Sequence, residues 1–388
     1  MRGSLRLGRI AGIEIGIHYT WLLALVIFTW LLGQSYFPTA YPGWKTYSYW
    51  IAGFLATFLI FISVLIHELA HSLVAKARGL PVSSITLFIL GGVSNLTDEP
   101  EKPGIEFLMA IAGPGTSLLL AGIFWGIWYL LGNQVIFIKA IIGYMAMANA
   151  LLAGFNLLPG FPLDGGRVFR SILWRTTGNL LKATNIAAIV GRIFGWVFMA
   201  LGVWFAFFIQ GGFLNGLWFV FIGWFLNSAA DNSRYEATLR EHLTGVLVGQ
   251  VMEKDIESVN PSTTVSALVQ TIFIQKRKRA IPVTDGDNLV GVVTISDVKG
   301  LPQEKWQITP VSQMMHREPI HAVKPEDDLN VAMKLIAQYD LNQIPVLTQG
   351  KLVGVLTRAD VINYLQLSQE LNIKGRRKSK VPGTEVKS

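Results

Sequence analysis

Six stretches of this chain are apolar and long enough to cross a bilayer, and no other feature limits its possible folds so strongly. Crossing the hydrocarbon core as helix takes roughly 20 apolar residues. Residues 17–33, 50–75, 105–131, 135–158, 186–209 and 212–230 each qualify. Backbone groups in lipid must be satisfied within the segment, so these stretches read as helices. Gly132, Asn133 and Gln134 alone separate the third from the fourth, and Gly211-Gly212 marks a turn between the fifth and sixth, so each pair reads as a tight hairpin. Across 388 residues 51% are hydrophobic and 15% charged. A soluble domain carries about 25% charged residues, so the balance excludes a disordered chain and argues against an ordinary cytosolic enzyme. Cysteine is absent, which removes disulfides, thiol nucleophiles and thiolate metal sites. Any bound metal must be held by His, Asp or Glu.

Lys and Arg favour the cytoplasmic ends of spans. Arg2, Arg6 and Arg9 precede the first span, and Lys76 and Arg78 follow the second. Arg167, Arg170, Arg175 and Lys182 lie between the fourth and fifth, while the opposite side holds little beyond Lys45 and Lys139. A cytoplasmic N-terminus puts all these clusters on one side, and six spans return the C-terminus there. The net charge of +8 then needs no nucleic-acid partner. No small-residue cleavage pattern follows the first run, so it reads as a retained helix rather than a signal peptide. The expected setting is a prokaryotic plasma membrane, crossed several times.

Residues 82–96 are too short to span as helix, partly β-branched and broken by Gly91-Gly92. A β-hairpin or re-entrant loop fits, since non-helical backbone at membrane depth must be covered by protein or line a wet cavity. An interfacial amphipathic loop fits equally well. As a strand it would hold an unwound peptide by main-chain pairing, with Ile89 inside the strand.

Ionisable side chains in a span mark function by default. The second span ends with His67-Glu68-Leu69-Ala70-His71. Histidines four apart share one helix face and can grip one metal ion, with Glu68 beside them as a base for a water molecule. A catalytic zinc needs a third protein ligand. His242, His316 and His321 lie in the polar C-terminal part, and His18 lies at the start of the first span. Asp164 is the better candidate: it follows Pro159 and Pro162, which stop the fourth helix, and precedes Gly165-Gly166, which allow a sharp bend. That arrangement predicts a carboxylate offered from an unwound segment on the same side as His67 and His71.

With Asn156-Leu157-Leu158-Pro159 and Pro162-Leu163-Asp164-Gly165-Gly166, the histidine motif makes residues 10–230 resemble the site-2 protease family of intramembrane zinc metalloproteases. The resemblance implies one Zn²⁺ held by His67, His71 and Asp164, Glu68 as general base, and a single-span membrane protein as substrate. The family's small-residue pattern is matched by Gly113-Pro114-Gly115-Thr116-Ser117. Members often carry Asn at the last position, and Ser117 reads instead as a close-packing residue. Asn149 and Asn156 are the polar residues nearest the aspartate motif, suited either to an oxyanion or to helix–helix bonding.

A repeat follows a short polar linker at 231–244. Pro282 and Pro345, Gly291 and Gly354, Thr294 and Thr357, and Asp297 and Asp360 are matched pairs at one constant offset. Each copy reads β-α-β-β-α. Residues 246–366 resemble a tandem pair of cystathionine-β-synthase (CBS) domains, which implies adenine nucleotide (ATP, ADP or AMP) at Thr294/Asp297 and Thr357/Asp360, and a homodimer through the pair. Helix capping explains the same Thr and Asp without a ligand. Lys276-Arg277-Lys278-Arg279 can neutralise phosphate, although Lys276 and Lys278 read better as a solvated helix end. The basic stretch 374–380 reads as a solubilising tail.

The expected fold class is a polytopic α-helical membrane domain of six transmembrane helices with a short hairpin, followed by a soluble α/β CBS pair. The expected divisions are 1–230, 231–244, 245–305, 306–368 and 369–388. The expected function is intramembrane zinc endopeptidase under CBS control. A CBS-gated transporter or channel, with the His/Glu/Asp cluster as ion path, is the alternative. Transporters typically show broken helices in two matching halves, and no such symmetry is visible here.

Overall fold

The structure, a computed structural model, describes residues 4–89, 91–96, 100–132, 135–317 and 320–371. Arg2, Asn133, Gln134 and the basic stretch 374–380 lie outside them. The chain falls into two units, 1–235 and 236–388.

In the first unit six helices are long and apolar enough to cross a membrane: α1 (Thr20–Ala40), α2 (Thr46–Ala77), α3 (Pro103–Leu130), α4 (Ile136–Asn156), α6 (Leu180–Phe208) and α7 (Phe213–Leu243). Their outer faces leave Leu22, Trp30, Leu119, Trp196 and Phe207 exposed, as suits helices bathed in lipid. Their inner faces are lined by small residues. Ala52, Ala56 and Ala140 are fully buried around Phe37 and Met145, and at Gly202 and Gly216 the backbones of α6 and α7 approach too closely for a Cβ. α7 continues as helix through most of the stretch read as linker, to Leu243.

Two features of this unit are not foreseen from the sequence. A 14-residue helix α5 (Asp164–Thr177), too short to span, joins α4 to α6 and ends at Gly178 in the left-handed conformation (φ 66°). The hairpin expected at 82–96 forms as β3 (Val82–Phe88) and β4 (Gly91–Leu96), but it is half of a larger sheet. β1 (Ser4–Ile10) and β2 (Ile13–His18) come from the N-terminus, and the order is β1-β2-β3-β4. β2 runs parallel to β3 from Glu14↔Ser84 to Ile17↔Leu87. Ile13, Ile15 and Ile85 are buried against Leu65 and Leu69, so the sheet packs on α2 beside its histidines. Ile89, expected within a strand, sits in the turn.

The second unit contains β5 (Ala280–Asp285), β6 (Asn288–Thr294), β7 (Gln343–Thr348) and β8 (Lys351–Thr357) in the order β5-β6-β8-β7. Its helices are α8 (Val248–Val251), α9 (Val265–Gln275), α10 (Ile295–Lys299), α11 (Leu329–Gln338) and α12 (Arg358–Glu370). The two hairpins share one register, Ala280↔Thr294 matching Gln343↔Thr357. Their cores exchange segments. Leu243, Val246 and Val248 pack with Val323, Ile344 and Leu356 of the second copy, whereas Val311, Met314 and Met315 pack with Ile281 and Val293 of the first.

Candidate metal centre

On α2, the four-residue spacing sets His67 and His71 on one face. Opposite them stands Asp164. Its Oδ2 lies 3.1 Å from His67 Nε2 and 3.2 Å from His71 Nε2, and the two Nε2 atoms are 3.2 Å apart. His67 is 3% exposed. Among the described residues these three form the only cluster of at least three His, Cys, Asp or Glu able to share one ion.

The far side of each ring is also held. His71 Nδ1–H donates to the Met109 carbonyl at 2.6 Å, which leaves the lone pair on Nε2 in the neutral ring. His67 Nδ1 meets Ser117 Oγ at 2.9 Å. With Ser117 Oγ accepting from His67 Nδ1–H, as the Met109 carbonyl accepts from His71, three acceptor atoms would converge, an arrangement that repels itself unless a proton or cation lies among them. A tetrahedral zinc with bonds of about 2.0–2.1 Å would separate its ligands by about 3.3–3.4 Å, close to the spacing here. Gly113 faces the same point, and a Cβ there would overlap both Nε2 atoms. Donor chemistry, spacing and the missing side chain all fit a divalent ion with nitrogen and oxygen preference.

Asp164 reaches this position differently from expectation. It is not on unwound chain but is the first residue of α5, set after a turn through Pro159 and Pro162. Gly165 and Gly166 do not bend the chain: they lie in the helix, where a Cβ would strike the backbone of Leu157 to Phe161. They permit close approach of helix and turn. Ser117 also departs from expectation, because a packing role alone does not account for its bond to His67. A hydroxyl four residues after the glycine that clears the two rings is the signal that could have found it. Asn149 donates to Ser63 Oγ at 3.2 Å and to the Met145 carbonyl at 2.9 Å, so it ties α4 to α2. Asn156 ends α4, just before the turn to Asp164. His18 bonds Thr20 Oγ1 at 2.9 Å, apart from the cluster.

Glu68 is half-buried beside His67 and within electrostatic reach of His67, His71, Asp164 and Arg167. Among the described residues it takes no hydrogen bond. The backbone of β4 passes directly over it, since a Cβ on Gly92 would overlap the Glu68 side chain.

In the second unit, the Thr-x-x-Asp elements are reciprocal caps. Thr294 N–H and O–H donate to Asp297 Oδ2 at 2.7 and 2.8 Å, and Thr357 does the same to Asp360 at 2.8 and 2.7 Å. Beyond this the copies differ. Asp297 Oδ1 lies 2.7 Å from His316 Nε2. Beside Thr357 lies a cavity of about 370 Å³, lined among others by Glu257, Arg277, Lys278, Arg279 and Arg358. Lys276 and Lys278 are not simply solvated, lying 2.5 and 3.5 Å from Glu257. The Lys276 hydrogen bond holds the Glu257 carboxyl below the usual carboxylate range. Arg277 and Arg279 have no side-chain partner among the described residues.

Comparison with known proteins matches the chain to Peptidase family M50 over residues 55–137 and 132–201, and to the CBS domain over 248–303 and 311–367. It is 33% identical over 374 residues to the Rip3 protein of Mycobacterium tuberculosis, covering 95% of this chain and 94% of that one. It is 34% identical over 380 residues to a protein of Synechocystis sp., covering 95% and 97%. Both carry the words zinc metalloprotease in their names. Among solved structures, a site-2 protease from Methanocaldococcus jannaschii is similar at 28% identity and a TM-score of 0.42, covering 60% of this chain and 95% of that one.

Proposed function

The chain belongs to peptidase family M50 and is a multi-pass zinc metalloprotease of the site-2 protease type with a tandem CBS pair, and from this we propose that it hydrolyses a peptide bond in or beside a transmembrane helix of a single-span membrane protein. The observation that carries the reading is the convergence of His67, His71 and Asp164 beside Glu68, within helices otherwise apolar.

His67 Nε2, His71 Nε2 and Asp164 Oδ2 would hold the zinc, with Ser117 and the Met109 carbonyl fixing the rings. Zinc bound there would polarise the scissile carbonyl and make a water acidic. Glu68 is placed to take a proton from a water at the site as the water's oxygen bonds to the carbonyl carbon, and to pass it to the amine as the C–N bond breaks. Of the two asparagines near the aspartate motif, Asn149 spends its amide donor on Ser63 and the Met145 carbonyl, so Asn156 is the candidate donor to the developing oxyanion. The carbonyls of a substrate helix are internally bonded, so the substrate must unwind first. β4 is an edge strand whose backbone lies over Glu68, which suits it to take an extended peptide as a further strand. Both termini lie in the cytoplasm of a prokaryotic cell, and the spans sit in its plasma membrane.

The CBS pair regulates this proteolysis by binding adenine nucleotide or by pairing with a second copy. Of the two Thr-x-x-Asp positions, Thr357/Asp360 is favoured over Thr294/Asp297. It adjoins the cavity carrying Arg277 and Arg279, and Asp360 keeps an oxygen that Asp297 gives to His316.

The test is cleavage of a single-span reporter by the purified full chain in detergent, wild type against Glu68→Gln, with zinc content measured on both. Cleavage lost with zinc retained supports the reading. Equal cleavage by both proteins would remove Glu68 as the base, and a zinc-free wild type would remove the metal site.

A further inference from the structure

Glu106 is 2% exposed, yet the chemistry described above does not use it. It lies on α3 and accepts from Arg170 of α5, whose Nε is 2.6 Å from Oε1 and whose Nη2 reaches the same oxygen. The Arg170 side chain is also largely buried, and its guanidinium sits 5.0 Å from the centre of the Phe161 ring. Phe161 belongs to the turn that delivers Asp164. A buried ion pair contributes little to stability, because desolvation offsets the attraction. An apolar pair of similar volume would hold the two helices together as well. What a guanidinium fork adds is geometry, since its donors point in fixed directions.

The placement gives that geometry a use. Glu106, Met109, Gly113 and Ser117 follow one another at helical spacing along a single stripe of α3. Met109 holds His71, Ser117 holds His67, and Gly113 clears room for both rings. Glu106 starts the stripe and holds the helix that carries Asp164. Three helices therefore form a closed triangle with polar links on each side: α2 to α3 through the two ring Nδ1 atoms, α2 to α5 through Asp164, and α3 to α5 through Glu106 and Arg170. The first two links involve the proposed ligands themselves. The third alone is independent of them, so it can fix where the carboxylate stands before any ion arrives.

We propose that Glu106 and Arg170 are positioning residues that hold Asp164 at the distance from His67 and His71 required for zinc. This rests on the reading of those three residues as the zinc ligands.

The experiment measures zinc affinity by competition with a chelator on the purified full chain, and melting temperature without metal. Four proteins are compared: wild type, Arg170→Lys, Glu106→Gln, and the double variant Glu106→Leu with Arg170→Met. Partners of metal ligands typically alter affinity by about 10- to 100-fold when changed. The double variant is expected to keep the wild-type melting temperature and to bind zinc about 10- to 100-fold more weakly. Glu106→Gln, which keeps an acceptor for the fork, should stay within a few-fold of wild type. Arg170→Lys, which keeps the charge but loses the fork, should fall between the two. Wild-type affinity in a double variant that melts normally would overturn the inference and leave the ligand assignment standing. If the double variant melts early, the single variants decide: Arg170→Lys binding as tightly as Glu106→Gln overturns it. A wild type that takes up no zinc would overturn the ligand assignment and this inference with it.

Discussion

In the membrane unit, Asp164 opens a helix and gives its carboxylate to His67 and His71. In the CBS unit, Asp297 and Asp360 stand at the third position of theirs and turn back to cap it. The residue type and the local setting are alike, and the consequences are opposite. A reciprocal cap is complete in itself, for the Thr N–H and O–H and the Asp oxygen answer one another. Two imidazole nitrogens and a carboxylate oxygen facing a shared point are incomplete without a proton or cation among them. So the aspartate in the membrane is itself an argument for a ligand, whereas those in the CBS pair are not. There the argument rests on groups the caps leave over, Arg277 and Arg279 at the cavity and one oxygen of Asp360.

The comparison is broken most decisively at Asp164. Asp164→Ala is expected to reduce zinc from about one per chain to a small fraction, measured by elemental analysis of the purified protein, since a catalytic zinc has three protein ligands and no spare. Full zinc content in that variant would make the carboxylate dispensable. Glu68→Gln should keep the metal and lower cleavage by about 100-fold or more, the usual contribution of a general base. Gly113→Ala places a methyl between the two rings and should weaken zinc binding even though it adds no charge, read by the same chelator competition. An unchanged affinity would mean that the rings have room to move apart.

Smaller effects sharpen the CBS side. Arg277→Ala with Arg279→Ala is expected to weaken AMP binding about 10-fold or more in calorimetry, as charge-assisted contacts are each worth about 1.5–3 kcal/mol. Thr294→Ala should cost about 1 kcal/mol of stability as a lost cap, with nucleotide affinity unchanged. If Thr294→Ala abolished binding and the arginine pair did not, the favoured cleft would be the wrong one. Smallest of all is Glu257. Lys276 holds its folded carboxyl low, so the stabilisation is present above the unfolded pKa and lost as pH falls through the folded value. Lys276→Ala should return that titration toward the ordinary range, followed by NMR.

Several levels of this molecule were legible in the residues alone. The apolar runs located all six spans to within a few residues, except where α1, α6 and α7 run further than their apolar windows. The pair His67/His71 was legible because helical spacing is local. The repeat in the second unit was legible because matched Pro, Gly, Thr and Asp recur at one offset, and the structure gives both hairpins one register. Ser117 was misread because the hydroxyl's partner lies fifty residues away. β1 and β2 were missed because strands this short become recognisable only once a neighbour such as β3 completes their bonding.

What the sequence by itself determined is therefore whatever depends on contacts a few residues apart: the spans, the paired histidines, the caps and the repeat. Only the tertiary structure decided that Asp164 meets His67 and His71 and that Gly113 rather than a side chain faces the rings. It alone decided that Glu106 meets Arg170, and that the two CBS cores exchange Leu243–Val248 for Val311–Met315. These are meetings between segments distant along the chain. No periodicity records them, because each is selected by packing and by the cost of leaving a buried polar group without a partner.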